Sequence, residues 1–244
     1  MSAGSSLLGR IKMFNLACQG ILTLSNMFYQ KVLKGINGLD HASAQENVDN
    51  GITCNWWRAV GTISPAGRKL HLTLSNADLH LNHYHEPVPA GNPLAGLAPT
   101  FGAVTPFIST TAGAIQRDHI LKDNILFDPF ITALKFATRN FRSRGFIFYA
   151  YLMTIGKVAV EMEQFSEEVR ELHIYKDFLP YHSQGEIMAK IIIPSVQIEK
   201  AWEFDGPQAK RDLKRKVLPT PVYQISNPAY LDPQKFSNIR ELLR

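Results

Sequence analysis

The stretch from Phe178 to Phe204, FLPYHSQGEIMAKIIIPSVQIEKAWEF, decides how the chain is read. An irregular aromatic and polar loop runs into a strand at Glu186, with Gln184 and Tyr181 just before it. From Ile187 to Ile193 the run is apolar except for Lys190. Beyond Pro194, the side chains Val196, Ile198, Trp202 and Phe204 fall at even spacing, the pattern of a half-buried strand. A carboxylate at the mouth of a sheet, beneath a loop of recognition groups, is a layout suited to catalysis. A surface glutamate closing an edge strand is the structural alternative for the same residues.

Two upstream segments bear on that choice. Thr53 to Gly61, TCNWWRAVG, reads as an aromatic strand with Arg58 on the face of Trp56 and Val60. An arginine on the packed side of a strand is costly unless it is paired or grips an anionic ligand. Val104 to Thr111, VTPFISTT, carries a short apolar stretch into Ser109, Thr110 and Thr111.

An arginine strand, a Ser-Thr-Thr strand and a Gln-x-Glu loop and strand, in that order, resemble the mono-ADP-ribosyltransferase toxins of the arginine–serine–glutamate, cholera-like group. The resemblance covers most of Thr53 to Phe204. It rests on Arg58, on Phe107-Ile108-Ser109-Thr110-Thr111 and on Tyr181-His182-Ser183-Gln184-Gly185-Glu186. An apolar strand from Phe146 to Thr154 and the closing Ile193-Pro194-Ser195-Val196-Gln197-Ile198 with Trp202 fit the same order. It implies an α/β (α+β) fold with a mixed, mostly antiparallel two-sheet core and flanking helices. It also implies NAD as co-substrate, with no metal. The interval from Ser109 to Glu186 is longer than in the compact members of the group, and the acidic stretch Glu161 to Glu171 reads as an exposed helix inserted there.

The chemistry implied by the resemblance asks for these residue types. Breaking the bond between nicotinamide and ribose builds positive charge on the sugar, as in glycoside hydrolysis. The resemblance assigns Glu186 to stabilise that cation, and preorganised groups of this kind typically lower a barrier by ~3 to 4 kcal/mol. It assigns Arg58, with neighbouring Ala59, to the NAD diphosphate, where a planar guanidinium fork grips phosphate oxygens as an ammonium cannot. Ser109 would orient Glu186 and, with Thr110, line the NAD site, while Thr111 stiffens the strand. Gln184, two residues before the glutamate, and Tyr181 would recognise the acceptor. Glutamine is neutral and both donates and accepts, and in the group it accompanies non-arginine acceptors, of the asparagine or threonine type, or nucleobases. The alternatives are an NAD glycohydrolase with water as acceptor, a nucleobase ADP-ribosyltransferase, and a non-catalytic binding module.

At 244 residues the chain holds one sizeable core or a core with a small helical lobe. Three parts are expected: an N-terminal helical extension (1–50), the catalytic core (51–205) and a basic, proline-containing C-terminal arm (206–244). Hydrophobic content of 45% and 19% charged residues match a globular protein and exclude a low-complexity or collagenous chain. A net charge of +5 is moderately basic. Two cysteines, Cys18 and Cys54, are too few for a disulfide framework and sit in apolar patterns as buried thiols.

From Leu7, the side chains Ile11, Phe14, Cys18 and Ile21 advance in steps of three and four, followed by Phe28 and Val32, as in an amphipathic helix. Asn15, Gln19 and Asn26 interrupt the apolar stretch that follows Arg10 and Lys12, so neither a secretory signal nor a transmembrane segment is expected here. The expected setting is a bacterial effector delivered into the cytosol of a host or competitor cell, with a protein target as partner and nucleic acid as the lesser alternative. His71, His80, His83 and His85 cluster in a region of short strands and turns, where alternation could pair ligands for zinc, but the spacing is not diagnostic and no cysteine or close carboxylate except Glu86 completes a set. Pro87 to Pro106 reads as a loop over the sheet. Asp128 and Pro129 start a helix with Phe130, Ala133, Ala137 and Phe141 on one face; Phe127 or Phe130 could stack on nicotinamide, and core packing is the competing use. Ala209 to Lys216 is a basic run without interleaved aromatics, read as a solvated face of an extended arm.

Overall fold

The computed structural model describes residues 27–60, 71–111, 115–117, 124–126, 129–155 and 186–235. In chain order they form β1 (Met27–Asn37), α1 (His41–Asn50), β2 (Ile52–Thr53), α2 (Asn55–Val60), α3 (Leu74–Asn82), β3 (Phe107–Thr111), β4 (Ile115–Arg117) and β5 (Asn124–Leu126). There follow α4 (Pro129–Ala137), β6 (Arg144–Ile155), β7 (Glu186–Lys190), β8 (Ile192–Ile193), β9 (Ile198–Asp205), α5 (Gly206–Lys214) and β10 (Tyr223–Ser226). The fold is α+β. A six-stranded sheet has the order β10-β9-β6-β1-β3-β7, with each neighbouring pair antiparallel. Small antiparallel sheets β2–β8 and β4–β5 accompany it.

The long central pair is β1 with β6, in register from Met27↔Ile155 to Asn37↔Gly145. One sheet face is covered by α1 and by the 87–106 loop. There Val32, Phe146, Phe148, Ile198 and Ala201 pack with Ala44 and Val48 of α1 and with Leu94, Phe101 and Val104 of the loop. The other face carries α4 and α5, through Leu33, Ile147 and Phe204 against Ala133, Leu134, Ala137 and Ala209. Each fully buried phenylalanine or leucine contributes roughly 1.5–3 kcal/mol. Contact between α4 and the sheet is direct backbone packing. A Cβ on Gly145 would stand 1.7 Å from the Ala137 carbonyl oxygen, and one on Gly35 would stand 2.2 Å from that of Ala133. Any side chain there would push the helix off the sheet.

The strands expected at 107–111 and 146–154 are present. That expected from Val196 to Phe204 begins only at Ile198, because Ser195–Gln197 forms a 3-10 turn. The helix from Pro129 ends at Ala137, with Phe141 beyond it in the same cluster as Phe130, Ala133 and Ala137. Several local expectations are corrected. Phe28 and Val32 lie on β1 and not on a helical face. The period-two reading of Thr53 to Gly61 fails after β2: Asn55–Val60 is helical, so Trp56 is buried and Arg58 exposed. Positions two apart point nearly oppositely on a helix but identically on a strand. His80 likewise lies on a helix and not a strand, because Thr73 caps α3 by accepting from the Asn76 N–H at 3.2 Å, and His83 and His85 follow the end of that helix.

The apolar run after Glu186 is two strands. Ile191, buried and at φ +64°, turns the chain from β7 to β8. That conformation costs a β-branched residue on the order of 1–3 kcal/mol. Both of its backbone groups are tied, the N–H to Pro106 O at 2.9 Å and the C=O to Cys54 N at 2.8 Å. A bulge where β9 meets Tyr149/Ala150 shifts the alternation, so Ile198 faces one core and Trp202 and Phe204 the other. The region after Asp205 is not a simple extended arm. It begins as α5, capped by the Asp205 carboxylate on the Gln208 N–H at 2.9 Å, and continues into edge strand β10. Among the described residues no helix is long and apolar enough to cross a membrane.

Candidate active site

Glu186 is the first described residue of β7, and the expected loop before it lies outside the described residues. The β3–β7 register sets Thr111 opposite Glu186 and Ser109 opposite Met188. Directly paired residues share a sheet face, so positions 109, 111 and 186 lie on one face at the same end of the strand pair. Diagonal neighbours in such a pair are roughly 7–8 Å apart. Thr110 falls on the opposite face and is buried beside Ile108 in the core.

Ser109 is held from above by α3. Its Oγ is 2.8 Å from His80 Nε2, and His80 Nδ1 is 2.8 Å from Thr105 Oγ1. Thr105 Oγ1 also accepts the Phe107 N–H at 3.2 Å. The imidazole is 4% exposed and stands edge-on to Phe107 and to Tyr84, with ring centroids 5.7 Å and 5.5 Å away. It reaches this place because Ala77 and Leu81 seat α3 on Phe107 and Met188, and His80 shares their helical face by i,i+3 spacing.

Arg58 connects to the same site by another route. Its guanidinium donates to Asn55 Oδ1. Asn55 in turn donates from Nδ2 to Gly102 O at 2.6 Å and approaches Tyr84 Oη at 3.4 Å. Tyr84 is clamped by Gly102, whose N–H donates to Tyr84 O at 2.7 Å and whose missing side chain leaves room for the ring. The path therefore runs Arg58–Asn55–Tyr84–His80–Ser109. Arg58 ends α2 exposed, with Ala59 beside it also exposed. An exposed fork with one anchored nitrogen can present its remaining N–H groups to an anion.

His71 lies next to this network. It is 8% exposed, stands edge-on to Trp56 at 4.3 Å, and its Nδ1 has no hydrogen-bond partner. Burial lowers its pKa below the ordinary histidine value. Cys54 is buried, and desolvation raises the pKa of its thiol, which makes it a packing group and not a nucleophile. Among the described residues no group of three or more His, Cys, Asp or Glu is placed to hold a metal ion.

Of the residues read from sequence, positions 109 and 186 fall on one sheet face by register, and Arg58 is linked to Ser109 through side chains. Phe130 packs against Phe204 with ring centroids 5.4 Å apart, in the core cluster that includes Leu33. Tyr181, Gln184, Phe127, Cys18 and the acidic stretch Glu161 to Glu171 lie outside the described residues. Sequence reasoning missed Asn55, Tyr84, Thr105 and the role of His80. A helical reading of Ala77, His80 and Leu81 would have put the imidazole on the buried face.

No protein-family model matches the chain, and no curated protein matches it. Among solved structures it is similar to the catalytic domain of the mosquitocidal toxin from Bacillus sphaericus, in a glutamate-to-glutamine mutant form. The identity is 13% and the TM-score 0.33. The match covers 87% of this chain but 59% of that one, less than two thirds of its length.

Proposed function

We propose that the chain is an NAD-dependent mono-ADP-ribosyltransferase that modifies a target protein on a non-arginine side chain of the asparagine or threonine type. One observation carries this reading. The antiparallel β3–β7 register sets Glu186 on the face of Ser109, while a hydrogen-bonded and ring-packed chain links Ser109 to an exposed arginine. Carboxylate, orienting hydroxyl and phosphate-gripping fork are the groups that nicotinamide–ribose cleavage needs.

In the proposed reaction the bond from the ribose anomeric carbon to the nicotinamide nitrogen breaks, and its electron pair leaves with nicotinamide. Glu186 stabilises the sugar cation and hydrogen-bonds a ribose hydroxyl. Arg58 holds the diphosphate. Thr105 Oγ1 already accepts the Phe107 N–H, so its own proton can go to His80 Nδ1. His80 Nε2–H then donates to Ser109 Oγ, and the Ser109 proton is directed outward to a carboxylate on its face. His80 is in this scheme a positioning residue acting through Ser109. The resemblance to the toxin group gives acceptor choice to Gln184 and Tyr181, and toxin action in a host or competitor cell is part of the same proposal.

The test is incubation of the full chain with labelled NAD, with and without cell lysate, beside Glu186→Ala. Label on a discrete protein band, lost in the variant, supports the transferase. Nicotinamide release with no labelled macromolecule makes it a glycohydrolase, and label on nucleic acid moves the acceptor to a nucleobase. Absence of NAD turnover in every arm refutes the enzymatic reading.

A further inference from the structure

Charge on this chain is segregated. Residues 129–144 contain four cations and no acid, and residues 206–218 contain five cations and one acid. These two segments sum to +8 against +5 for the whole chain, so the remaining residues are net negative. The fold then brings the start of the second segment against the turn that ends the first. α5 starts on the turn that follows α4: the Gly206 N–H donates to Ser143 O at 3.1 Å, and a Cβ on Gly206 would lie 2.6 Å from that oxygen.

On α5, Ala209 and Leu213 pack inward with Phe204, which leaves Lys210, Arg211 and Lys214 on the outward arc. On α4 and its turn, Lys135, Arg139 and Arg142 are exposed. Asn37 fixes that turn, accepting from Arg139 Nε at 3.0 Å. Between Lys135 and Arg139 stands Phe136, 46% exposed on a helix whose other face is core. An aromatic ring flanked by cations, which the basic run in sequence lacks, is thus supplied from a segment some seventy residues away.

We propose that the outer surface of α4 and α5 binds single-stranded nucleic acid, with the six cations on the phosphates and Phe136 as a stacking platform for a base. Two of its features favour a nucleic acid over an anionic membrane. Arginine forks match phosphate geometry. The apolar sides of both helices are already used against the sheet, so neither helix has an apolar face to lie in a bilayer, and Val217 and Leu218 stand exposed only beyond the end of α5. This surface does not depend on the catalytic proposal, and its test has a separate readout.

The experiment is fluorescence anisotropy of labelled twenty-nucleotide single strands, DNA and RNA, with the full chain over a salt series, beside vesicles with and without phosphatidylserine. Binding should weaken with salt, with a slope in log K of up to about −4 for six phosphate contacts. The triple variant K210E/R211E/K214E should reduce the steepness of that slope by about 2 and weaken binding at least tenfold at low salt. F136A should weaken binding by roughly 5-fold or more without changing the slope. Circular dichroism and thermal unfolding of the triple variant report whether it remains folded. Failure of the wild type to bind either oligonucleotide, binding only to the anionic vesicles, or binding unaltered in the triple variant would each overturn the proposal. None of these results bears on NAD cleavage, which is read separately.

Discussion

The position of His80 between Thr105 and Ser109 makes a prediction that separates its two nitrogens. Glutamine at this site can place a donor near the position of Nε2, which faces Ser109. Asparagine reaches only as far as Nδ1, which faces Thr105. His80→Ala removes both bonds and leaves two hydroxyls to find partners. Each lost neutral bond is worth about 0.5–1.5 kcal/mol, and a buried orphaned hydroxyl adds about 1–3 kcal/mol. A destabilisation on the order of 2–4 kcal/mol is therefore expected for His80→Ala, with smaller losses for the two conservative variants. Only an interaction strengthened in the transition state alters kcat. If His80 acts by aiming Ser109 at Glu186, His80→Ala and His80→Asn should lower kcat for nicotinamide release by about 3- to 10-fold, one orienting bond converted at 1.4 kcal/mol per decade. His80→Gln should recover most of that loss. Single-turnover nicotinamide release, with thermal unfolding measured on the same preparations, reads both quantities. The reasoning is refuted if kcat follows unfolding temperature regardless of which nitrogen is mimicked, or if all three variants retain wild-type kcat.

Three further outcomes are expected. Arg58→Lys keeps the charge but loses the fork anchored on Asn55, and kcat/KM for NAD should fall about 10- to 100-fold, mainly through KM, as for a lost charge-assisted bond; steady-state kinetics with an unchanged KM would remove Arg58 from the NAD site. Gly145→Ala places a methyl 1.7 Å from the Ala137 carbonyl oxygen, so urea denaturation should show a loss of at least about 3 kcal/mol, and a midpoint like wild type would contradict the close approach of α4 to β6. His71 has its pKa lowered by burial, so the unfolded chain binds the proton more readily. Its contribution to stability is complete above the ordinary value of 6.5 and declines as pH falls below it. His71→Phe should therefore flatten the pH dependence of the unfolding temperature between neutral and mildly acid pH, and an unaltered profile would show that His71 is not the titrating group.

How much of this was legible in the sequence depended on the length of each periodic run. Phe107 to Thr111, Phe146 to Thr154 and the helix from Pro129 were readable because each presents a full face to the core, and burial enforces the period. Short segments were not. Asn55 to Val60 has six residues, and alternation of Trp56, Arg58 and Val60 suits a strand as well as one and a half turns of helix. The choice was made by tertiary hydrogen bonds, Trp56 N–H to Thr105 O and Cys54 N–H to Ile191 O, which join residues far apart in the chain. The same holds for α3, whose cap at Thr73 was overlooked beneath a run of histidines.

The chain's order of residue types by itself determined the candidate carboxylate, the Ser-Thr-Thr strand and the basic balance, while the antiparallel core was implied only by the resemblance. Only the tertiary structure decided that Thr111 lies opposite Glu186, that Thr110 faces away from Ser109, and that Asn55, Tyr84 and His80 connect Arg58 to Ser109. It also decided that Phe136 stands exposed beside Lys135 and Arg139, and that α5 starts on the turn that follows α4. The physical reason is the same throughout. Local pattern reports which side of an element is apolar, whereas register and packing report which sides meet, and these are set by contacts whose partners lie tens of residues apart.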